Sequence, residues 1–150
     1  MNISTRRDKE LLNLVFEGEH LDYLAKKSIE WISSYMNRHP VHIQLRHTSE
    51  FRINRYVTGT SMSEHSDNIV SLFEKGSGSP LLSIVGCLND DYEGGETYFP
   101  EQNIKYTPEA GHLIMFPSDL THPHGVTEVI KGDRYTLPIW FTDDETKLEI

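Results

Sequence analysis

The hydrophobic period of this chain changes at His39-Pro40, and everything downstream keeps the new period. Before that point Leu21, Ala25, Ile29, Ile32 and Met36 recur at steps of four and three, which predicts an amphipathic helix over 19–37. A shorter stretch, 8–16, reads as a helix as well. The residue before a proline avoids helical geometry, so the long helix should end at His39. Beyond it Val41, Ile43 and Leu45 alternate with His42, Gln44 and Arg46, the period of a half-buried strand. Strand-like runs follow at 51–58, 69–74, 81–88, 96–99, 104–106, 112–116, 125–130 and 134–142. Turn residues separate them, such as Gly76-Ser77-Gly78, Gly94-Gly95 and Lys131-Gly132-Asp133. Many short strands at this spacing predict a mainly β (α+β) fold, a sandwich or double-sheet jelly roll with the N-terminal helices on one face.

A chain of 150 residues suits one core, so we expect a single domain over 1–150, with helices at about 8–37 and the β core at about 41–142. No apolar run approaches the ~20 residues a bilayer demands, and no apolar segment follows the basic residues of the N-terminus. The single cysteine, Cys87, cannot pair within the chain, so the sequence reads as cytoplasmic. The net charge of −9 withholds the general attraction that nucleic acid binding draws on. An acidic surface instead favours a basic peptide or protein as partner.

Two segments carry candidate chemistry. In His65-Ser66-Asp67 the imidazole and the carboxylate would project from one face of a strand and could meet one ion. By itself such a triplet is common. The second segment is His122-Pro123-His124, followed by Arg134. Two imidazoles and one carboxylate can occupy one face of an octahedral Fe(II), leaving three positions for a bidentate 2-oxo acid and O2. An arginine's planar fork suits the far carboxylate of such an acid. Either histidine of the doublet could be the distal ligand by alternation. Pro123 belongs at the start of a strand, which favours His124.

Taken with the text around them, these segments resemble the prolyl 4-hydroxylase-like family of Fe(II)/2-oxoglutarate dioxygenases. The matching stretches are Arg55-Tyr56-Val57-Thr58-Gly59, His65-Ser66-Asp67, Cys87-Leu88-Asn89-Asp90 and Glu93 to Pro100. They continue with Pro108 to Pro117, His124, Gly132-Asp133-Arg134-Tyr135 and Trp140-Phe141. The resemblance covers 51–141 in order and spacing. It implies a double-stranded β-helix, with His65, Asp67 and His124 as the catalytic iron ligands and Arg134 holding the 2-oxoglutarate C5 carboxylate. His124 stands ten residues before Arg134, the family's interval.

The resemblance also implies O2 as co-substrate, ascorbate to re-reduce the iron, and release of succinate and CO2 as a C–H bond is hydroxylated. It assigns Tyr56 to the co-substrate pocket, against the plainer role of a strand aromatic, and leaves Trp140 open between the iron and the core. Gly94-Gly95-Glu96-Thr97 reads as a turn and strand start.

Three departures accompany it. Cys87 stands where relatives commonly have a tyrosine, Pro138 where several have a threonine, and Ser77-Gly78-Ser79-Pro80 where some have a substrate-contacting arginine. The expected substrate is proline in a peptide or protein. The rivals are a metal- or ligand-binding jelly roll without turnover, and a dioxygenase of a nucleobase or small metabolite. His20, His39, His42, His47 and His112 fall outside the motif and read as surface or structural side chains.

Overall fold

Two antiparallel sheets face each other, and a helix covers the outer face of the larger one. The computed structural model describes residues 10–12, 18–39, 47–48, 51–68 and 79–142. The described elements are β1 (Glu10–Leu12), α1 (Glu19–Arg38), β2 (His47–Thr48), β3 (Ile53–Tyr56), β4 (Met62–His65) and β5 (Pro80–Cys87). They continue as β6 (Glu93–Gly94), β7 (Thr97–Phe99), β8 (Ile104–Tyr106), β9 (Leu113–Pro117), β10 (His124–Val126), β11 (Val129–Lys131) and β12 (Arg134–Thr142). The large sheet runs β1-β3-β12-β5-β9, with β2 beside β12. The small sheet runs β4-β10-β7-β8, and β11 pairs with β6. This is the expected jelly roll.

Alternation along β12 sorts the molecule into its two faces. Leu137, Ile139 and Phe141 join Leu82 and Ile84 of β5 in the core cluster, against which Leu24, Trp31, Ile32 and Tyr35 pack. Arg134, Thr136, Pro138 and Trp140 take the other face and line the cavity between the sheets. One strand thus serves both the core and the site.

The helix packs on a face rotated from the expected stripe. Leu21 and Ile29 are exposed, while Leu24, Trp31, Ile32 and Tyr35 reach the sheet. The two aromatics cover more apolar area than the aliphatic row, so they win the inward face. Ser28 is fully buried on that face because its hydroxyl donates to the Leu24 carbonyl at 2.8 Å.

Residues 10–12 correct the expected helix over 8–16. They form a strand that pairs with β3, Leu11 opposite Asn54. The edge of β3 offers backbone partners that a short local helix would have to outbid. The other residues of that span lie outside the described residues, as do the expected strands at 41–45 and 69–74. The run 125–130 divides into β10 and β11, since the second part leaves the small sheet to join β6. Among the described residues no helix is long and apolar enough to cross a membrane.

Candidate active site

The cavity between the sheets encloses about 530 Å3, including its open mouth, and has a metal-ligand cluster at one end and an arginine at the other. The cluster is His65, Asp67 and His124, whose donor atoms all lie within 4.8 Å of one another. β4 ends at His65, and Asp67 stands in the bend that follows, so the two do not share a strand as the i, i+2 reading expected. The bend, rather than the pleat, turns the carboxylate towards the imidazole. His124 opens β10 directly after Pro123, and its register partner on β4 is His65.

Hydrogen bonds fix the orientation of both imidazoles. The Nδ1–H of His65 donates to the Ser63 carbonyl at 2.9 Å, and that of His124 to the His122 carbonyl at 3.1 Å. Each ring therefore turns Nε2 towards Asp67, at 3.4 Å from Oδ1 for His65 and 3.8 Å from Oδ2 for His124. Backbone carbonyls that hold the far nitrogen are what a metal-ligating histidine requires. His122 turns away, towards Thr121 and Asp119.

The electrostatics favour the ligand forms. Burial would raise the Asp67 pKa, but contacts with His65, His124, Ser83 and Trp140 outweigh it and hold the carboxyl at about 2. Burial lowers the His124 pKa, with the Asp67 charge opposing. The rings of Phe116 and Phe99 supply that apolar wall, with centroids 4.6 and 5.6 Å from the imidazole. Two imidazole nitrogens and one carboxylate whose donor atoms converge fit a divalent cation.

Arg134 opens β12 opposite Tyr56 on β3 and is 1% exposed. Its Nη2 donates to Thr97 Oγ1 at 3.0 Å, and its guanidinium lies 4.9 Å from the centre of the Tyr56 ring. Nε and Nη1 are buried without a hydrogen-bond partner among the described residues. A buried cation with two idle donors is costly until an anion meets it. A carboxylate fits that gap.

The backbone around Arg134 is clamped. The Asn89 side chain donates to the Asp133 carbonyl and accepts from the Tyr135 N–H, each at 2.7 Å. One amide thus holds the residues on both sides of the arginine. Arg55 adds bonds to Asp133 Oδ2 at 2.9 and 2.7 Å. Gly95, at φ +62°, leaves room for the side chain, since a Cβ there would stand 3.0 Å from Arg134 Cδ. The Gly94-Gly95 pair is therefore more than a turn.

Tyr56 is 3% exposed and lines the cavity, as does Trp140. Arg52 stacks on Trp140 at 4.5 Å from the ring centre. Cys87 is buried and donates to the Asn89 carbonyl, with the Tyr92 hydroxyl 4.0 Å from its sulfur. Burial raises the Tyr92 pKa against the nearby Arg134 charge, so a phenol does stand close to the arginine, though from another position. Pro138 lines the cavity. His20, His39 and His112 are exposed, whereas His42 lies outside the described residues.

Sequence reasoning missed Asn54 and Thr136, which line the cavity, Thr97 and Asn89, which bond Arg134 and the backbone beside it, and Ser83, which donates to Asp67. Asn54 and Thr136 could have been found by stepping two residues along a strand from Tyr56 and Arg134. Ser83 is the one hydroxyl of an apolar strand, a signal in itself.

The family model of the 2OG-Fe(II) oxygenase superfamily matches residues 51–142. Human prolyl 3-hydroxylase 2 is 41% identical over 68 residues, 42% of this chain and 10% of that protein. The chain thus spans about a tenth of the length of the curated relatives of this kind. Among solved structures, the viral collagen prolyl hydroxylase of Paramecium Bursaria Chlorella virus-1, in a 2OG complex, aligns with a TM-score of 0.76 at 22% identity. That alignment covers 93% of this chain and 82% of the viral one. A prolyl hydroxylase from Trichoplax adhaerens, bound to a hypoxia inducible factor oxygen degradation domain peptide fragment, aligns at 0.70 and 20% identity. It is covered over 67%, against 95% of this chain.

Proposed function

The chain belongs to the 2OG-Fe(II) oxygenase superfamily, and from that premise we propose that it is an Fe(II)- and 2-oxoglutarate-dependent dioxygenase that hydroxylates proline in a peptide or protein. One observation carries the reading: the cavity joins a His65, Asp67, His124 cluster to a buried arginine with two donors unpartnered among the described residues. His65, Asp67 and His124 hold the iron in this proposal, and Arg134 holds the C5 carboxylate of 2-oxoglutarate, with Tyr56 packed against its guanidinium.

Bound iron supplies the oxidation of 2-oxoglutarate by O2 to succinate and CO2, with the second oxygen atom going to the substrate. The protein's own part is positional. His65 and His124 keep their Nδ1 protons on backbone carbonyls and offer Nε2. Asp67 stays ionised, while Phe99 and Phe116 screen His124 from water. Arg134 orients the co-substrate along the cavity from its far end. Trp140, under Arg52 and bonded to Asp67, lines the metal end of the cavity.

Proline is the proposed target because the relatives and neighbours are prolyl hydroxylases by name. A net charge of −9 supports a basic peptide or protein over nucleic acid. We propose that residues 1–150 form one domain that works in the cytoplasm, with ascorbate to keep iron reduced.

The test is succinate formation by purified protein with Fe(II) and 2-oxoglutarate, in the presence of proline-containing basic peptides, free proline or methylated oligonucleotides. Peptide-stimulated succinate with a gain of one oxygen on proline supports the reading. Metal and 2-oxoglutarate binding without turnover would mark a binding jelly roll instead. Stimulation by methylated oligonucleotides alone would mark a nucleobase enzyme.

A further inference from the structure

We propose that Ser83, itself aimed by Ser118, is the positioning residue that sets how Asp67 presents its carboxylate to a metal ion; the proposal rests on the metal-site reading above. Ser83 Oγ lies 2.7 Å from Asp67 Oδ2 and 2.7 Å from Ser118 Oγ. Both serines are 1% exposed.

The protons in this chain have one consistent arrangement. An ionised carboxylate only accepts, so the single Ser83 proton goes to Asp67. Ser118 must then donate its own proton to Ser83. The series runs Ser118 to Ser83 to Asp67, and every buried hydroxyl in it is satisfied. A buried hydroxyl left unpaired would be costly, and an apolar strand such as Pro80–Cys87 has no packing need for one at this position.

The anchor lies within a sheet strand, whereas Asp67 does not. Ser83 sits on β5 between Trp140 of β12 and Phe116 of β9 in the sheet register. Asp67 lies in a bend, outside any strand. Ser118 fastens that bend through its backbone as well: its N–H donates to the Leu81 carbonyl at 3.1 Å, and its carbonyl accepts from Asn68 N–H at 2.8 Å. The two serines therefore tie the ligand loop to the large sheet.

The chemical consequence is a choice of oxygen. Ser83 occupies a lone pair of Oδ2, which leaves Oδ1, the atom nearer His65 Nε2, as the better donor. Rotation of the carboxylate would break the 2.7 Å bond. An ion in the site then receives one oxygen rather than two, and keeps a coordination position free for other ligands.

The experiment compares wild type with Ser83→Ala, Ser83→Thr and Ser118→Ala, using Co(II) as the probe ion. Calorimetry reads affinity, and the visible absorption of Co(II) reads its coordination. Thermal unfolding of the metal-free proteins provides the structural control. We expect Ser83→Ala to lose about ten- to hundredfold in affinity and to change the Co(II) band. Ser83→Thr, which keeps the hydroxyl, should restore both, and Ser118→Ala should shift both in the same direction by less. Wild-type affinity and band in Ser83→Ala would overturn the proposal. Should Ser83→Ala not fold, the same wild-type result in Ser118→Ala overturns it. Absence of Co(II) binding by the wild type would refute the metal-site reading itself, and this inference with it.

Discussion

His65 and His124 are register partners across the antiparallel pair β4–β10, with ring centroids 4.5 Å apart. Fifty-nine positions of sequence separate them (124 − 65), yet the ladder places them side by side. Asp67 closes the triangle from the bend beyond β4. A cluster built this way depends on the carboxylate most, since it alone neutralises charge. Asp67→Ala should lose most Fe(II) or Mn(II) binding and all turnover. Calorimetry showing undiminished binding would refute the ligand assignment. In parallel, His124→Ala should lose the metal and His122→Ala should keep it, because His122 faces Asp119 instead.

Arg134 governs the opposite end. Removing one member of a buried charge pair costs ~2–5 kcal/mol, which is roughly 30-fold to several-thousand-fold in affinity. Arg134→Ala should bind metal normally but need that much more 2-oxoglutarate. An unchanged KM for 2-oxoglutarate would show that the carboxylate sits elsewhere.

Much of this was legible in the chain, for identifiable reasons. The period-two text after Pro40 made the β core visible, and β8 and β12 fall where the runs predicted. His65, Asp67, His124 and Arg134 stood out because an H-x-D triplet, a distal histidine and an arginine ten residues beyond it form a recognisable spacing. Residues that act through one hydrogen bond did not. Asn89 and Ser83 look like ordinary polar side chains until the sheet brings Asp133, Tyr135 and Asp67 to them. The helix face was misjudged because aliphatic spacing was read without weighing Trp31 and Tyr35. β1 was misread because pairing with β3 is a long-range event that no local pattern announces.

Acid should act in two windows. The folded His124 pKa lies below its ordinary 6.5, so the unfolded chain takes the proton first and stability falls as pH drops through 6.5 towards the folded value. Asp67 is lowered from 3.8 to about 2, so its contribution is full above 3.8 and is lost as pH falls towards 2. That second window is worth about 2 kcal/mol. Thermal unfolding of the metal-free protein at roughly pH 7 to 3 should decline in both. His124→Ala should abolish the upper step, and a flat profile there would contradict the argument.

Asn89→Ala should separate clamp from arginine. Losing two bonds to backbone beside Arg134 should cost ~1–3 kcal/mol of stability. 2-Oxoglutarate affinity should fall as Arg134 gains freedom, while metal affinity holds. Equal losses at both ends of the cavity would point to general loosening instead.

Gly95→Ala tests whether the glycine pair makes room for the arginine. At φ +62° any L side chain is strained, by about 1–2 kcal/mol. The added Cβ would also lie 3.0 Å from Arg134 Cδ, 3.1 Å from Val129 Cγ2 and 3.3 Å from Tyr92 Cε2. Val129 is fully buried beside Tyr56 and Val126, so it has little space to yield. The Arg134 stem must move, and with it the two donors, unpartnered among the described residues, that would meet the carboxylate. Metal affinity should be preserved, because none of these atoms belongs to the His65, Asp67, His124 cluster. The expected result is therefore a higher 2-oxoglutarate KM on an unaltered metal isotherm. If Gly95→Ala instead unfolds early but binds 2-oxoglutarate normally once folded, the glycine serves only the turn, as the sequence first suggested.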